Sequence, residues 1–288
     1  ECFGTKAGNG TPSSSLYFKR GVAFPSIGSV FAARTHRYPS IIGNAGLSAY
    51  PEDLASVVCL LNRTESRTII QDLNPTVNFL VGDVVRLPVF PVSEAGEVFA
   101  ELERAFSDHE AAREPSVEFK RPGPSPWRYA QEWAQLAVDR PERAPLPPYE
   151  PVHDPPEPGG FVSFAIGVAL GRFEKDGQGL LDAAPPTALT AGILLVSSEG
   201  NDSLDTAPCA LIHDTWKEQG AAVGQGDDLR TYLRTSFFGY HKKLYENRPI
   251  YFPLSSARKS FVAFVSIHRW ADLTLLVEGD PIQIQLPT

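Results

Sequence analysis

The stretch Leu244 to Trp270, LYENRPIYFPLSSARKSFVAFVSIHRW, combines a helix end, two candidate strands and a basic turn in one short unit. Arg248-Pro249 ends the helix, since the proline ring cannot continue it. Aromatic and branched residues at 250–252 and 261–267 predict two short buried strands, joined by a turn at residues 255–260. This turn carries two cations and three hydroxyls, so it fits either a phosphate clamp or a solvated hairpin tip.

Upstream of this stretch, apolar residues recur at helical spacing and predict one helix from about Asp228 to Glu246. The positions on its core-facing side are Leu229, Leu233, Phe237, Tyr240 and Leu244. The segment from Gly160 to Phe173 predicts another helix, and because it is apolar nearly all round we expect burial on most sides. Gly192 to Ser197 predicts one further strand.

A proline-rich segment separates these elements from the first half of the chain. Residues 141–160 contain eight prolines, too many for a helix or a central strand, so they predict an extended linker. Before it, Trp127 and the alanines that follow at helical spacing predict one helix. Ser93 can cap another helix that continues past Glu110, with apolar side chains along its buried face.

The first part of the chain has the composition of β-structure. Residues 16–51 carry short bursts of aromatic and branched residues broken by glycine and proline. Pro51 and the two acids after it open a short helix through Leu61. The block from Asn74 to Pro88 predicts a strand, a turn and a second strand, with Asp83 as a turn carboxylate that binds backbone N–H groups. Together the elements predict an α+β fold.

Length and composition restrict the class of protein. The 288 residues, 42% of them hydrophobic, can build one large domain or two ordinary ones. The sequence contains neither an apolar run of the ~20 residues that a membrane span needs nor a signal-peptide pattern, so we expect no membrane partner and a cytoplasmic location. Cys2, Cys59 and Cys209 lack paired spacing, which argues against a disulfide framework or a cysteine zinc site. The absence of Met and the abrupt beginning at Glu1 indicate a fragment or a processed product.

The net charge of −8 is unevenly spread along the chain. Residues 91–226 hold 22 acidic and 10 basic residues, whereas the flanking segments are slightly basic. We therefore expect the acidic middle of the chain to face away from a nucleic acid or toward a partner protein.

Four stretches of the chain, in the same order, resemble the C-terminal region of the PglX-type adenine-specific DNA methyltransferases of BREX phage-defence systems, which have relatives in DISARM systems. They are LNPTVNFLVGDVVRLP at Leu73–Pro88, FVSFAIGVALGRF at Phe161–Phe173, the helix from Asp228 to Tyr245, and Leu244–Trp270. The resemblance runs from about Gly21 to Trp270. It implies that the intact enzyme uses S-adenosylmethionine to methylate host DNA, and that its catalytic domain lies upstream of Glu1.

Composition and periodicity, together with this resemblance, divide the chain into four regions. The expected regions are a β-rich target-recognition segment at residues 1–92, an acidic helical spacer at 93–140, a proline-rich linker at 141–159 and a mixed α/β C-terminal domain at 160–288.

The residues for methyl transfer are not recognisable in this chain. An amino-methyltransferase needs a glycine-rich turn after a strand and an Asn/Asp-Pro-Pro-aromatic loop that holds the flipped base. Gly4, Gly8 and Gly10 follow no strand, and before Pro147-Pro148-Tyr149 the required carbonyl acceptor is replaced by Leu146. We expect no catalytic residue here, and S-adenosylmethionine would bind the upstream domain. The histidines lack metal-ligand spacing, so no metal site is predicted.

Recognition of double-stranded DNA is the function that remains. The candidates in the first segment, which can bridge phosphates or bind guanine edges, are Lys19, Arg20, Arg34, His36 and Arg37. A second basic site would hold backbone phosphates, and its members are Lys242, Lys243, Arg258 and Lys259. The alternative is that all of them are ordinary solvated side chains.

Two functions therefore compete. One is the DNA-recognition and C-terminal part of an adenine-N6 methyltransferase. The other is a non-catalytic module whose acidic helices bind other phage-defence subunits and whose basic residues are incidental. A steep fall of DNA affinity with salt favours the first, because phosphate neutralisation releases counterions. A self-contained enzyme of another class would require activity without added partners.

Overall fold

The structure, a computed structural model, describes residues 14–42, 46–180, 193–196, 209–256, 262–266 and 282–283. Helices are combined with two antiparallel sheets, which confirms the predicted α+β class. The chain divides into two compact units, one of Glu1–Phe106 with Pro126–Val152 and the other of Ser107–Ser125 with His153–Thr288. The segment boundaries at residues 92, 140 and 159 stay predictions.

A small antiparallel sheet belongs to the first unit. Its strands are β1 (Val22–Pro25), β2 (Arg34–Thr35) and β3 (Gly46–Ala49), in the order β2-β1-β3. Val22 lies opposite both Thr35 and Ala49, so β1 is the central strand. Val22 and Phe24 alternate into the core, as a strand with one buried face requires.

Helices follow the sheet along the chain. They are α1 (Leu54–Asn62), α2 (Thr64–Leu73), α3 (Val81–Val84), α4 (Ala95–Ala112) and α5 (Trp127–Asp139). Asp53 caps α1, because its carboxylate accepts hydrogen bonds from the Ser56 backbone N–H at 3.0 Å and hydroxyl at 2.6 Å. The helices expected through Leu61, past Glu110 and after Trp127 are confirmed.

The prediction of two strands between Asn74 and Pro88 is wrong. Asn74 ends α2, and its side-chain oxygen accepts from the Thr76 hydroxyl at 2.7 Å, while its amide donates to the Asn78 carbonyl at 3.0 Å. These local bonds compete with a strand ladder and turn the chain. The helix α3 then replaces the expected second strand, and only an isolated bridge pairs Asn78 with Ile27.

The second unit combines helices with another antiparallel sheet. Its helices are α6 (Pro158–Ala169), α7 (Cys209–Val223), α8 (Leu229–Thr235) and α9 (Phe237–Leu244). Its strands are β4 (Ile193–Val196), β5 (Tyr251–Ser256), β6 (Val262–Ser266) and β7 (Ile282–Gln283), in the order β4-β6-β5-β7. The strands expected near residues 192–197, 250–252 and 261–267 are confirmed, and residues 257–260 of the intervening turn lie outside the described residues.

The single helix predicted from Asp228 to Glu246 is two helices. Ser236 separates α8 from α9 with φ −116°. The hydroxyl of Thr235 donates to the Thr231 carbonyl at 2.7 Å, a bond one turn back that bends helices. The core-facing positions Leu229, Leu233 and Phe237 are nevertheless fully buried, as their spacing predicts.

The helix expected at residues 160–173 begins and ends earlier than predicted. Pro158 occupies its first position, where the missing N–H costs nothing. Gly171 adopts φ 71°, and the Arg172 N–H donates to the Gly167 carbonyl at 2.8 Å, so the chain leaves the helix there. Within the described ranges, no helix combines the length and the apolar character needed to cross a membrane.

Candidate nucleic-acid interface

The antiparallel pairing of β1 and β2 brings together Arg20 and Arg37, two of the predicted DNA-binding residues. Val22 lies opposite Thr35, and beyond the strands the His36 N–H donates to the Gly21 carbonyl at 2.8 Å. Continuing this register places Arg20 opposite Arg37. Since side chains alternate between the two faces of a strand, Thr35 and Arg37 share one face.

Three side chains of this face converge on one carboxylate. Glu103, on α4, lies 3.1 Å from Arg20 Nη2, 3.9 Å from Arg37 Nη1 and 3.0 Å from the Thr35 hydroxyl. The Arg37 guanidinium also lies 5.5 Å from the centre of the Phe106 ring. Glu103 therefore faces the predicted DNA-binding cations. The expectation that the acidic segment as a whole faces away from a nucleic acid or toward a partner protein stays a prediction.

Arg34 belongs to the other face of β2, together with His36. Arg34 is exposed, so its guanidinium is accessible from solvent. His36 is buried, with Nε2 at 3.0 Å from the Ser48 hydroxyl and Nδ1 at 3.4 Å from the Lys19 carbonyl. Burial lowers the pKa of His36, which disfavours the cation. His36 therefore links parts of the fold, and we do not propose it as a DNA contact.

The second group of predicted cations is only partly described. Lys242 and Lys243 lie in the last turn of α9, where positive charge stabilises the helix dipole. Lys243 is exposed and Lys242 half-buried. Arg258 and Lys259 lie outside the described residues. The phosphate-binding role of this group stays a prediction.

A comparison with curated proteins found a similar stretch in one larger protein. Over 50 residues, the chain is 44% identical to the adenine-specific methyltransferase BrxX of Escherichia coli O9:H4 (strain HS). The stretch makes up 17% of this chain and 4% of that protein. No protein-family model matches the chain.

The block at Leu73–Pro88, one of those resembling the methyltransferases, forms a local polar network. The Asn74 amide donates to the Asp83 carboxylate at 2.9 Å as well as to the Asn78 carbonyl. Asp83 was expected to bind backbone N–H groups, and its side-chain partner is instead Asn74. Phe79 is buried, and its N–H donates to the Ser26 carbonyl at 2.9 Å. The block therefore connects α2 and α3 to the chain that follows β1.

The Pro147-Pro148-Tyr149 segment packs against α5. The indole N–H of Trp133 donates to the Pro147 carbonyl at 2.8 Å, and the rings of Trp133 and Tyr149 are 4.8 Å apart. An aromatic ring held in this way is not presented to a flipped base. The Pro147-Pro148-Tyr149 segment therefore does not fit the base-binding loop of an amino-methyltransferase.

A cavity of about 370 Å³ lies within the second unit. Among its lining residues, His109 Nδ1 is 2.8 Å from the Ser125 hydroxyl, and Glu114 is only 4% exposed. The sequence did not identify His109 or Glu114 as candidates, because neither belongs to a recognisable motif. Only the fold brings them to one cavity. In the part of the chain that the structure describes, no group of three or more His, Cys, Asp or Glu side chains could hold a metal ion.

Thr35 and Glu103 are two further residues of the site that were not predicted from the sequence. Thr35 could have been found, because it precedes Arg37 by two residues and a strand places both on one face. Glu103 carried no such signal. It lies 83 residues from Arg20, on a helix with many acids, and only the folded chain selects it.

Proposed function

We propose that this chain is the DNA-recognition and C-terminal part of a PglX-type adenine-N6 DNA methyltransferase that acts in phage defence in the cytoplasm. The observation that carries the proposal is the 44% identity over 50 residues to an adenine-specific methyltransferase. The order of the four resembling sequence blocks supports the same assignment. S-adenosylmethionine would bind a catalytic domain other than the residues described here.

In this proposal, Lys19, Arg20, Arg34 and Arg37 contact double-stranded DNA. Arg20 and Arg37 lie opposite each other at the end of the β1–β2 pair, and Arg34 is an exposed residue of the edge strand β2. An edge strand with arginines can follow a DNA backbone, and a guanidinium can bind guanine O6 and N7. Lys242 and Lys243, with Arg258 and Lys259, would contribute phosphate contacts.

Titration of a fluorescent duplex with the full chain tests the proposal. Anisotropy should report binding at low salt, and the logarithm of the association constant should fall with the logarithm of salt by about 0.9 for each phosphate neutralised. Arg34→Ala should weaken binding by about 1–3 kcal/mol if that side chain reads a base. Arg128→Ala is the matched control, since Arg128 is exposed in the same unit but stacks on Tyr129.

The alternative function, a module that binds proteins, predicts no binding to duplex DNA. A module that binds other phage-defence subunits would leave the anisotropy of the duplex unchanged even at low salt. That result would remove the DNA assignment, and equal losses in Arg34→Ala and Arg128→Ala would remove Arg34 from the interface. Adenine methylation by this chain alone would contradict the separation of recognition from catalysis.

A further inference from the structure

Arg20, Thr35 and Arg37 have the geometry of an anion-binding site. Their donor groups come from two paired segments of chain and approach both oxygens of Glu103, with Thr35 on Oε1 and Arg20 on Oε2. Arg37 Nη1 adds a second positive charge 3.9 Å from Oε2. Two guanidinium groups and a hydroxyl match the oxygens of a phosphate as well as those of a carboxylate.

The site is accessible to solvent, while one of its cations is held in place. The side chain of Arg20 is 51% exposed and that of Glu103 29% exposed, so a dissolved anion can reach the same donors. Arg37 is 26% exposed and lies over the Phe106 ring, which limits the rotamers of its guanidinium. A partly exposed carboxylate that water can reach can be exchanged for another anion.

We propose that Arg20, Thr35 and Arg37 form a phosphate-binding site and that the Glu103 carboxylate is its intramolecular competitor. A phosphate group displaces Glu103 and takes over its contacts with the three donors. The inference rests on the proposed function for the source of the phosphate, which is the DNA backbone. Glu103 is then a positioning residue that preorganises the donors and reduces binding to any single phosphate.

Replacement of the competitor by its neutral isostere tests the site directly. In Glu103→Gln, inorganic phosphate should shift the side-chain NMR signals of the Arg20 and Arg37 guanidinium groups at about fivefold lower concentration than in the parent chain, the factor expected for loss of one exposed ion pair. Glu97→Gln is the control, because Glu97 is an exposed carboxylate on the same helix. It should leave the phosphate titration unchanged.

A second variant separates competition from a structural role of Glu103. Adding Arg20→Ala to Glu103→Gln should abolish the gain in phosphate affinity, whereas the melting temperature of each variant reports any loss of folding. The proposal is overturned if Glu103→Gln binds phosphate no more tightly than the parent chain, whether or not its melting temperature falls. It is equally overturned if the gain survives without Arg20.

The same variants with duplex DNA distinguish this inference from the proposed function. If Glu103→Gln gains affinity for phosphate but neither chain binds a duplex, the site stands and the DNA assignment is lost. If the parent chain binds a duplex and Glu103→Gln changes neither phosphate nor duplex affinity, the DNA assignment stands and the competitor role of Glu103 is lost.

Discussion

Tyr245 donates a hydrogen bond of 2.8 Å to the carboxyl group of Glu114, which lies 131 residues earlier in the chain. The same oxygen, Oε1, accepts a second bond of 2.9 Å from the Ser163 hydroxyl. Glu114 is 4% exposed, so its ionised form would have to exist almost without water. This burial raises the pKa of Glu114 to about 7, although the two hydrogen bonds and the nearby Arg172 act to lower it.

The raised pKa of Glu114 predicts a stability that falls as the pH rises. Below pH 4.5, the ordinary value, both the folded and the unfolded chain hold this proton. Between pH 4.5 and about 7, only the folded chain retains it, so the free energy of unfolding should decrease by on the order of 3 kcal/mol. Glu114→Gln keeps an acceptor for Tyr245 and Ser163 and should remove this decrease. Urea unfolding at pH 5 and pH 8 measures the difference.

Glu218→Gln provides the comparison for this variant, because Glu218 is an exposed carboxyl on α7 of the same unit. It should leave the pH dependence as it is in the parent chain. A parent chain and a Glu114→Gln variant with the same pH dependence from pH 5 to 8 would show that Glu114 is ionised in the folded state.

His241 should affect the pH dependence of stability in the opposite direction to Glu114, because it should lower the free energy of unfolding as the pH falls. It is fully buried, and its Nε2 accepts a hydrogen bond of 3.1 Å from the Ile250 N–H. Burial, together with the charge of Arg172, lowers the pKa of His241 from 6.5 to about 3. The unfolded chain therefore binds this proton first, and stability should be lost as the pH falls from 6.5 toward about 3.

The variant His241→Gln retains an acceptor for the Ile250 N–H but cannot be protonated. It should therefore lose less stability than the parent chain between pH 7 and pH 4, as measured by urea unfolding midpoints. His153→Gln is the control, since His153 is exposed in the same unit. Equal acid sensitivity of the parent chain and His241→Gln would contradict the prediction.

Replacement of two helical glycines of the second unit by alanine should change the stability of the chain in opposite directions. A methyl group at Gly239 in α9 would meet no atom within 4 Å, so Gly239→Ala should stabilise by about 0.5–1 kcal/mol through helix propensity. At Gly220 in α7 it would lie 2.7 Å from the Trp216 side chain, which packs against Tyr232. Gly220→Ala should therefore destabilise by about 1–3 kcal/mol. Thermal unfolding of both variants measures the contrast, and a stabilised Gly220→Ala would mean that Trp216 can move aside.

Local patterns in the sequence identified most elements of this fold and little of the candidate site. Helical spacing placed Leu229, Leu233 and Phe237 in the core, but it did not reveal the helix break at Ser236, next to which the Thr235 hydroxyl donates to the Thr231 carbonyl. The strand predictions near Asn74 failed because side-chain bonds to the backbone outweighed β propensity. Glu103 and Glu114 were missed because their partners lie 83 and 131 residues away, and no local pattern encodes such a contact.

The beginning of α2 offers a prediction for the first unit. Arg63, the residue before the helix, makes no side-chain capping bond, and Asp139 at the end of α5 takes that role. Its carboxylate accepts from the Thr64 N–H at 2.8 Å and from the Thr64 hydroxyl at 2.6 Å. Asp139→Ala should therefore cost about 0.5–2 kcal/mol in the free energy of unfolding, the range for a lost helix cap.

A double-mutant cycle with Thr64→Val makes this prediction specific, because valine removes the hydroxyl bond but keeps the backbone N–H. Asp139→Ala should still destabilise a Thr64→Val background, since the bond to the N–H remains to be lost. The two changes together should cost less than their sum, because they share one hydrogen bond. Strict additivity in urea unfolding would show that the bond between Asp139 and the Thr64 hydroxyl is absent in solution. An Asp139→Ala variant as stable as its parent would show that Asp139 does not cap the helix.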